Sequence, residues 1–261
     1  MIKLIATDLD GTLLNEEKKV GEEDKQILRK ATEMGVDVCL ASGRMHHDLK
    51  WVAETIGIKT HFISQNGSFT ETKEGELLDQ SAFTPALAQE VYGCIRNLDL
   101  YMTVGFKDRL VTPSYKERAR EANAQLFTEV RQVPDIGEKF EVEPPQKFSL
   151  VGEQSKLELL QQDLAQRFSG RVELYISDTH YLDVMPAGVS KGKALQILTS
   201  HLGVKPEEVL CIGDAFNDVS MFERFATYSF AMEQGPAAVK QKAAFTVGSV
   251  AQGIRQSIKG I

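Results

Sequence analysis

Near its start the chain reads Asp8-Leu9-Asp10-Gly11-Thr12, two carboxylates with one residue between them. A carboxylate can attack a phosphoryl group and form an acyl phosphate, and a second one nearby can protonate the leaving alcohol and later activate water. That second role asks for a carboxyl whose folded-state pKa lies close enough to working pH. Gly11 permits the backbone turn that brings both side chains to one cavity. Two such acids repel each other and any incoming phosphate. A divalent cation removes that problem and also polarises a phosphoryl oxygen. Asp214, in Gly213-Asp214 followed by Asn217-Asp218, is a third acid for the cation. Hard oxygen ligands of this kind favour magnesium.

Ser42-Gly43 offers a hydroxyl and unencumbered backbone N–H groups to phosphate oxygens at a helix start, and Lys191 offers a point charge. Each feature has a plainer reading. Asp-Gly is a common turn, a serine before a helix is a common cap, and most lysines near helix starts are solvated. The chemical reading rests on the set, which must converge on one rim.

The elements that would do this alternate strand and helix. Residues 3–7 form a short apolar run ending in Asp8, residues 22–34 a helix with acids in its first turn and Ile27, Leu28, Ala31 and Met34 on one face, and residues 36–40 a second buried strand. A helix through Trp51 and Ile56 ends at Gly57, and residues 61–64 give a third strand before Gln65-Asn66-Gly67. This order predicts a parallel sheet with right-handed crossovers, and ligands of such sheets bind outside the carboxyl ends of the strands. Asp8, Asp10, Ser42, Asn66 and Asp214 all stand at such ends.

From about Pro85 to Pro186 the pattern changes to helix 87–98, strands 101–106 and 110–112, helix 115–127, a looser proline-bearing stretch, strand 148–151, helix 156–168 and strands 172–176 and 181–185. Strands alternate here as for a sheet covered on one face. The expectation is an α/β, Rossmann-like parallel core formed by residues 1–83 and 187–261, with an inserted α+β domain at 84–186. After it, Ser190 is a candidate helix cap, residues 209–212 a buried strand, and residues 228–232 and 245–247 the last strands.

With 261 residues, 42% hydrophobic and 26% charged, the chain has the composition of an ordinary soluble protein. Cys39, Cys94 and Cys211 are odd in number and far apart, which argues against a disulfide framework or a structural zinc. Asp8 and Asp10 interrupt the first apolar run, and no stretch approaches a membrane span, so the expected location is the cytoplasm. The net charge of −7 argues against nucleic acid as a partner and requires that a phosphorylated metabolite be attracted locally. Oligomeric state is not legible.

Together these residues resemble the haloacid dehalogenase superfamily over essentially the whole chain. Its motifs occur in order as Asp8-Leu9-Asp10-Gly11-Thr12, Ser42, Lys191, and Gly213-Asp214 with Asn217-Asp218, and the insertion resembles the type IIB cap of the Cof-type phosphatases. The resemblance implies that Asp8 is the nucleophile and a magnesium ligand, and that Asp10 is the general acid/base with its backbone carbonyl on the metal. It implies that Ser42, Gly43 and Lys191 hold the phosphoryl group, that Asp214 binds magnesium, and that Asp218 supports the metal or orients Lys191. Asn217 would contact phosphate or order its loop. An acid at position 10 separates phosphate-ester enzymes from the relatives that cleave other bonds. Ala215 stands where many relatives have asparagine, and Glu233-Gln234-Gly235-Pro236 replaces a usual Gly-Asn-Ala stretch.

The implied activity is magnesium-dependent hydrolysis of small phosphate monoesters such as sugar phosphates, through a phosphoaspartyl intermediate. Phosphotransfer of the phosphomutase kind is the alternative enzyme, and a non-catalytic phosphometabolite-binding regulator the alternative of another class. Adjacent His46-His47 reads poorly as a metal site, Arg44 reads as a structural ion pair ahead of a substrate-facing cation, Cys211 as packing, and Tyr101, Phe106 and Tyr181 as core of the insertion ahead of a substrate platform. Residues 178–181 are expected to contribute to substrate selection.

Overall fold

The computed structural model describes residues 1–115, 123, 126–178 and 180–261, with Asp178 by its backbone alone. The chain divides into one unit of Met1–Gln80 with Ser190–Ile261 and another of Ser81–Val189.

The first segment runs β1 (Leu4–Thr7), α1 (Glu22–Glu33), β2 (Asp37–Ala41), α2 (His46–Ile56), β3 (His61–Ser64), β4 (Phe69–Glu71) and β5 (Leu77–Gln80). The expected parallel pairing of β1 with β2 and of β2 with β3 is present. Because β1 is covered on both faces, Leu4, Ile5 and Ala6 are all buried and show no alternation. Helix α1 carries Glu22, Glu23 and Asp24 at its positive end and turns Ile27, Leu28 and Ala31 inward. Met34, expected on that face, is 47% exposed because it is the cap residue beyond the last turn. Strands β4 and β5 were not expected. They extend β3 antiparallel, and their polar residues lack a strand signature.

The second unit contains α3 (Pro85–Ile95), β6 (Tyr101–Gly105), β7 (Leu110–Thr112), β8 (Val130–Gln132), β9 (Lys147–Val151), α4 (Gln154–Arg167), β10 (Val172–Asp178) and β11 (Tyr181–Pro186). Its sheet has the order β10-β11-β9-β6-β7-β8, antiparallel except for β7 with β8. Met102, Val104, Phe148, Leu150, Leu182 and Val184 pack with Val91 and Leu164 of the two helices. The alternate residues Thr103, Ser149 and Asp183 therefore project from the other face. Phe106 joins the core, whereas Tyr101 and Tyr181 cluster with Val151. The helix expected at 115–127 falls largely outside the described residues. Strand β8 was missed because three residues of mixed polarity in a loose stretch carry no period.

The chain then completes the first unit with α5 (Lys191–Leu202), β12 (Val209–Gly213), α6 (Val219–Arg224), β13 (Tyr228–Met232), α7 (Ala237–Lys240), β14 (Phe245–Val247) and α8 (Val250–Ser257). The sheet order is β14-β13-β12-β1-β2-β3-β4-β5, with β1 between β12 and β2. One face packs Ile5, Val38, Leu40 and Ile212 against residues of α1, α2 and α8. The other packs Leu4, Ala6, Cys39 and Cys211 against Leu195, Leu198 and Phe222 of α5 and α6. This is a Rossmann-like α/β core with helices on both faces. Each wholly buried leucine or isoleucine contributes about 1.5–3 kcal/mol to holding the strands in register. No helix among the described residues is long and apolar enough to cross a membrane.

Candidate active site

Sheet register decides which residues meet. Thr7 pairs with Ile212 on one side and Leu40 on the other, so Asp8, Gly213-Asp214 and Ser42 leave the sheet at one level. The Asp8 N–H still donates to Ile212 O at 3.0 Å, and the Ser42 N–H to Ile63 O at 2.8 Å. The nucleophile candidate thus sits on the last rung of the most enclosed strand, which holds its backbone still.

Lys191 is the first residue of α5, capped by the Ser190 hydroxyl, which accepts from Lys193 N at 3.2 Å. The helix start is pressed against the first turn of α6. A Cβ on Gly192 would lie 2.0 Å from Ser220 O, so only glycine lets α5 come this close. From there the Lys191 side chain, wholly buried, donates to Asp8 Oδ1 at 2.5 Å and Asp218 Oδ1 at 2.7 Å. Burial would lower the lysine, but the charges of Asp218 and Asp8 outweigh it and raise it. The other Asp218 oxygen accepts the N–H groups of Asp214 and Ala215 at 2.9 and 3.0 Å. One carboxylate therefore fixes both the lysine and the loop that carries Asp214. Ala215, where many relatives have asparagine, contributes its backbone N–H to this pair of bonds.

Asp214 accepts a hydrogen bond from Thr12 Oγ1 at 3.0 Å. Gly11, at φ +75°, passes so near that a Cβ would lie 2.3 Å from Asp214 Oδ2. Gly11 thus serves close approach as well as the turn. The Gln234 side chain donates to Gly11 O at 2.5 Å, which gives the variant 233–236 loop a defined place beside the same turn. Asn217 Nδ2 donates to Asn66 Oδ1 at 3.0 Å. Gln65, Asn66 and Gly67 all have positive φ, of 47°, 56° and 105°, in the tight turn that presents this amide. Ser42, 2% exposed, accepts the Arg44 N–H at 3.2 Å, so its own proton is left to donate. Gly43 lies in the turn between β2 and α2.

The Asp10 carboxylate is engaged by two cations. Arg44 donates to both its oxygens, at 2.6 and 2.7 Å, and Lys18 to one of them at 2.9 Å. Burial would raise this acid, but the hydrogen bonds and charge of Arg44, with those of Lys18, bring it down to about 2. Arg44 is the expected ion-pair residue, although its partner is the candidate acid/base. Lys18, at φ 58° in a turn read only as polar, gave no signal in the sequence. Neither did the function of Thr12 as the hydroxyl on Asp214.

Asp8, Asp214 and Asp218 each place a carboxylate oxygen within 4.8 Å of the others. Burial raises Asp8 well above the usual range against the pull of Lys191, with Asp218 and Asp214 adding to the rise. Burial and then the Asp218 charge lift Asp214 to about 7. Such a cluster is short of positive charge, and its hard oxygen donors fit a divalent cation. The histidines read otherwise: His46 packs edge-on against Phe62 at 5.2 Å, and His47 lies 3.6 Å from Asp48. Cys211 is buried in β12, as packing requires.

Residues 5–258 match the family model for haloacid dehalogenase-like hydrolases. The chain is 31% identical over 227 residues to the HMP-PP phosphatase of Serratia proteamaculans, covering 85% of this chain and 80% of that one. It is 30% identical over 247 residues to phosphatase YwpJ of Bacillus subtilis, covering 85% and 86%. A solved haloacid dehalogenase-like hydrolase from B. subtilis superposes with a TM-score of 0.87 at 26% identity, covering 98% of this chain and all of the other. The chain belongs to the haloacid dehalogenase-like hydrolase family. Within that family it is an enzyme of the phosphatase kind, a phosphoric monoester hydrolase.

Proposed function

We propose that the enzyme hydrolyses small phosphate monoesters in two steps through a phosphoaspartyl intermediate on Asp8, with magnesium as its cofactor. The reading is carried by one observation, the wholly buried Lys191 ammonium bridging Asp8 and Asp218 beside Asp214. Lys191 holds one Asp8 oxygen, so the other is the one aimed at phosphorus. In the first step that oxygen bonds to phosphorus as the ester P–O bond breaks, and Asp10 gives a proton to the departing oxygen. In the second, the Asp10 carboxylate takes a proton from water, the water oxygen bonds to phosphorus, and the aspartyl P–O bond breaks to release phosphate. Lys191, Ser42 and the Gly43 N–H bind the phosphoryl oxygens. Of the two roles open to Asn217, its bond to Asn66 favours ordering of the loop over contact with phosphate.

Magnesium would be held by Asp8, Asp214 and the Asp10 carbonyl, and supplies positive charge to the phosphoryl oxygens. While Arg44 grips it, Asp10 is an anion and has no proton to give. Moving off Arg44 removes the interactions that lower its pKa, so the acid role requires that it leave.

The substrate is a small phosphorylated metabolite, the class to which the relatives' names point. Phosphate release across a panel of phosphorylated metabolites with magnesium, beside Asp8→Asn, tests the proposal. Turnover by the wild-type protein and none by the variant is expected. Undiminished turnover by Asp8→Asn would overturn it.

A further inference from the structure

Gln65 at φ 47° and Asn66 at φ 56° stand side by side in the left-handed backbone region, before Gly67 at φ 105°. Residues other than glycine visit that region singly, asparagine more readily than glutamine, and a consecutive pair is strained unless its surroundings hold it. The surroundings here do hold it. The Gln65 N–H donates to Arg44 O at 2.9 Å and the Asn66 N–H to Ser42 O at 3.0 Å, which fastens the turn to the β2–α2 turn at two points. Gly67 lies against the start of α5, where a Cβ would be 2.5 Å from Ser190 O. A glycine at position 66 would adopt this backbone without strain and keep the bond to Ser42. What the asparagine adds is a side chain, and its Oδ1 is the acceptor for Asn217 Nδ2 at 3.0 Å. Asn217 is 5% exposed, and its own Oδ1 has no partner among the described residues. Asn66 therefore fixes which way that amide faces. The next residue, Asp218, holds Lys191 with one oxygen and the Asp214 and Ala215 N–H groups with the other.

From this geometry we infer that Asn66 is a positioning residue for the phosphoryl group. It ties the backbone of Ser42 to the loop of Asn217 and Asp218, and through Asp218 to Lys191. The spacing between the Ser42 hydroxyl and the Lys191 ammonium is thereby set before substrate arrives, and misplacing such groups by a fraction of a bond length costs rate rather than binding. The strained backbone is kept because the side chain it presents joins two loops that are far apart in the chain. The inference rests on the proposed roles of Asp8, Ser42 and Lys191.

Asn66→Gly removes Oδ1 and keeps the backbone, and Asn217→Ala removes the other half of the bond. With p-nitrophenyl phosphate and magnesium, each should lower kcat by about tenfold or more and leave KM little changed. The double variant should fall no further than the lower of the two, because both changes break one contact. Inhibition by orthovanadate and by phosphate adds a readout that a merely structural role would not move. Vanadate takes up the five-coordinate geometry of the transferring group, so its inhibition constant should rise about tenfold in each variant while that of phosphate stays within about twofold. The ratio of the two constants does not depend on how much of the enzyme is folded, which keeps the test available if either variant is unstable. A wild-type kcat with an unchanged ratio in Asn66→Gly would overturn the inference, as would single losses that multiply in the double variant. Asp8→Asn keeps the two levels apart. Where it abolishes turnover, either of those outcomes sinks the role of Asn66 alone. Turnover retained by Asp8→Asn sinks the phosphoaspartyl reading and the inference with it.

Discussion

Replacing Asp214 by asparagine should stabilise the metal-free protein while ending its response to magnesium. The carboxyl is lifted from 3.8 to about 7, first by burial and then by the Asp218 charge. An acid raised in the folded state binds its proton more tightly there than in the unfolded chain. Stability is therefore present at low pH and is lost as pH rises from the unfolded value of 3.8 to the folded value of about 7. At ~1.4 kcal/mol per pKa unit the full loss is about 4 kcal/mol, of which about 2–3 falls between pH 5 and 8. The Thr12 hydroxyl can bond an amide as it bonds the carboxylate, so Asp214→Asn keeps the loop and removes the charge. Urea unfolding with EDTA, followed by the single tryptophan, Trp51 in α2, reports on this unit alone. Wild type should weaken from pH 5 to pH 8. The variant should weaken much less and be about 2–4 kcal/mol more stable at pH 8. Magnesium should then restore the wild type at pH 8 and leave the variant unmoved. A variant no more stable than wild type at pH 8, or equally stabilised by magnesium, would refute the assignment of Asp214 as an electrostatic cost tied to a cation.

Lys191→Met leaves Asp8 and Asp218 buried without their shared ammonium and should cost about 3–5 kcal/mol by urea unfolding at neutral pH. The cost should shrink as pH falls and Asp8 takes up a proton, and phosphate release should fall by about a hundredfold or more. Gly192→Ala would force a Cβ against the Ser220 carbonyl, so a loss of about 3 kcal/mol is expected in the same titration. Gly248→Ala, in the same unit and meeting nothing nearer than 3.5 Å, is its control. Thr12→Val removes a hydrogen bond that lowers Asp214, so magnesium affinity measured by calorimetry should require a higher pH than in the wild type.

Local signals were enough where a residue's environment is set by its own element. The buried strands, the caps at Ser190 and Gly57, and the acids crowding the start of α1 follow from period and propensity. The rim followed too, because parallel strands ending at one level must present Asp8, Ser42 and Asp214 together. Strands β4, β5 and β8 did not, since they are three or four residues long and gain their order from a neighbour's edge.

The partners of Asp10 were harder still. An arginine after a serine-glycine turn reads as half of an ion pair without naming the other half, and Lys18 sits in a run of mixed charge. Their meeting depends on the turn that follows β1 folding back, with Asp10 and Leu14 bridged and Leu14 bridged to Val20. That turn aims Lys18 at the carboxylate from one side while the β2–α2 turn brings Arg44 from the other. Spacing along the chain shows that an acid stands two residues beyond the proposed nucleophile, Asp8. That this acid is held between two cations depends on residues 8 and 34 positions away, which no local pattern reveals.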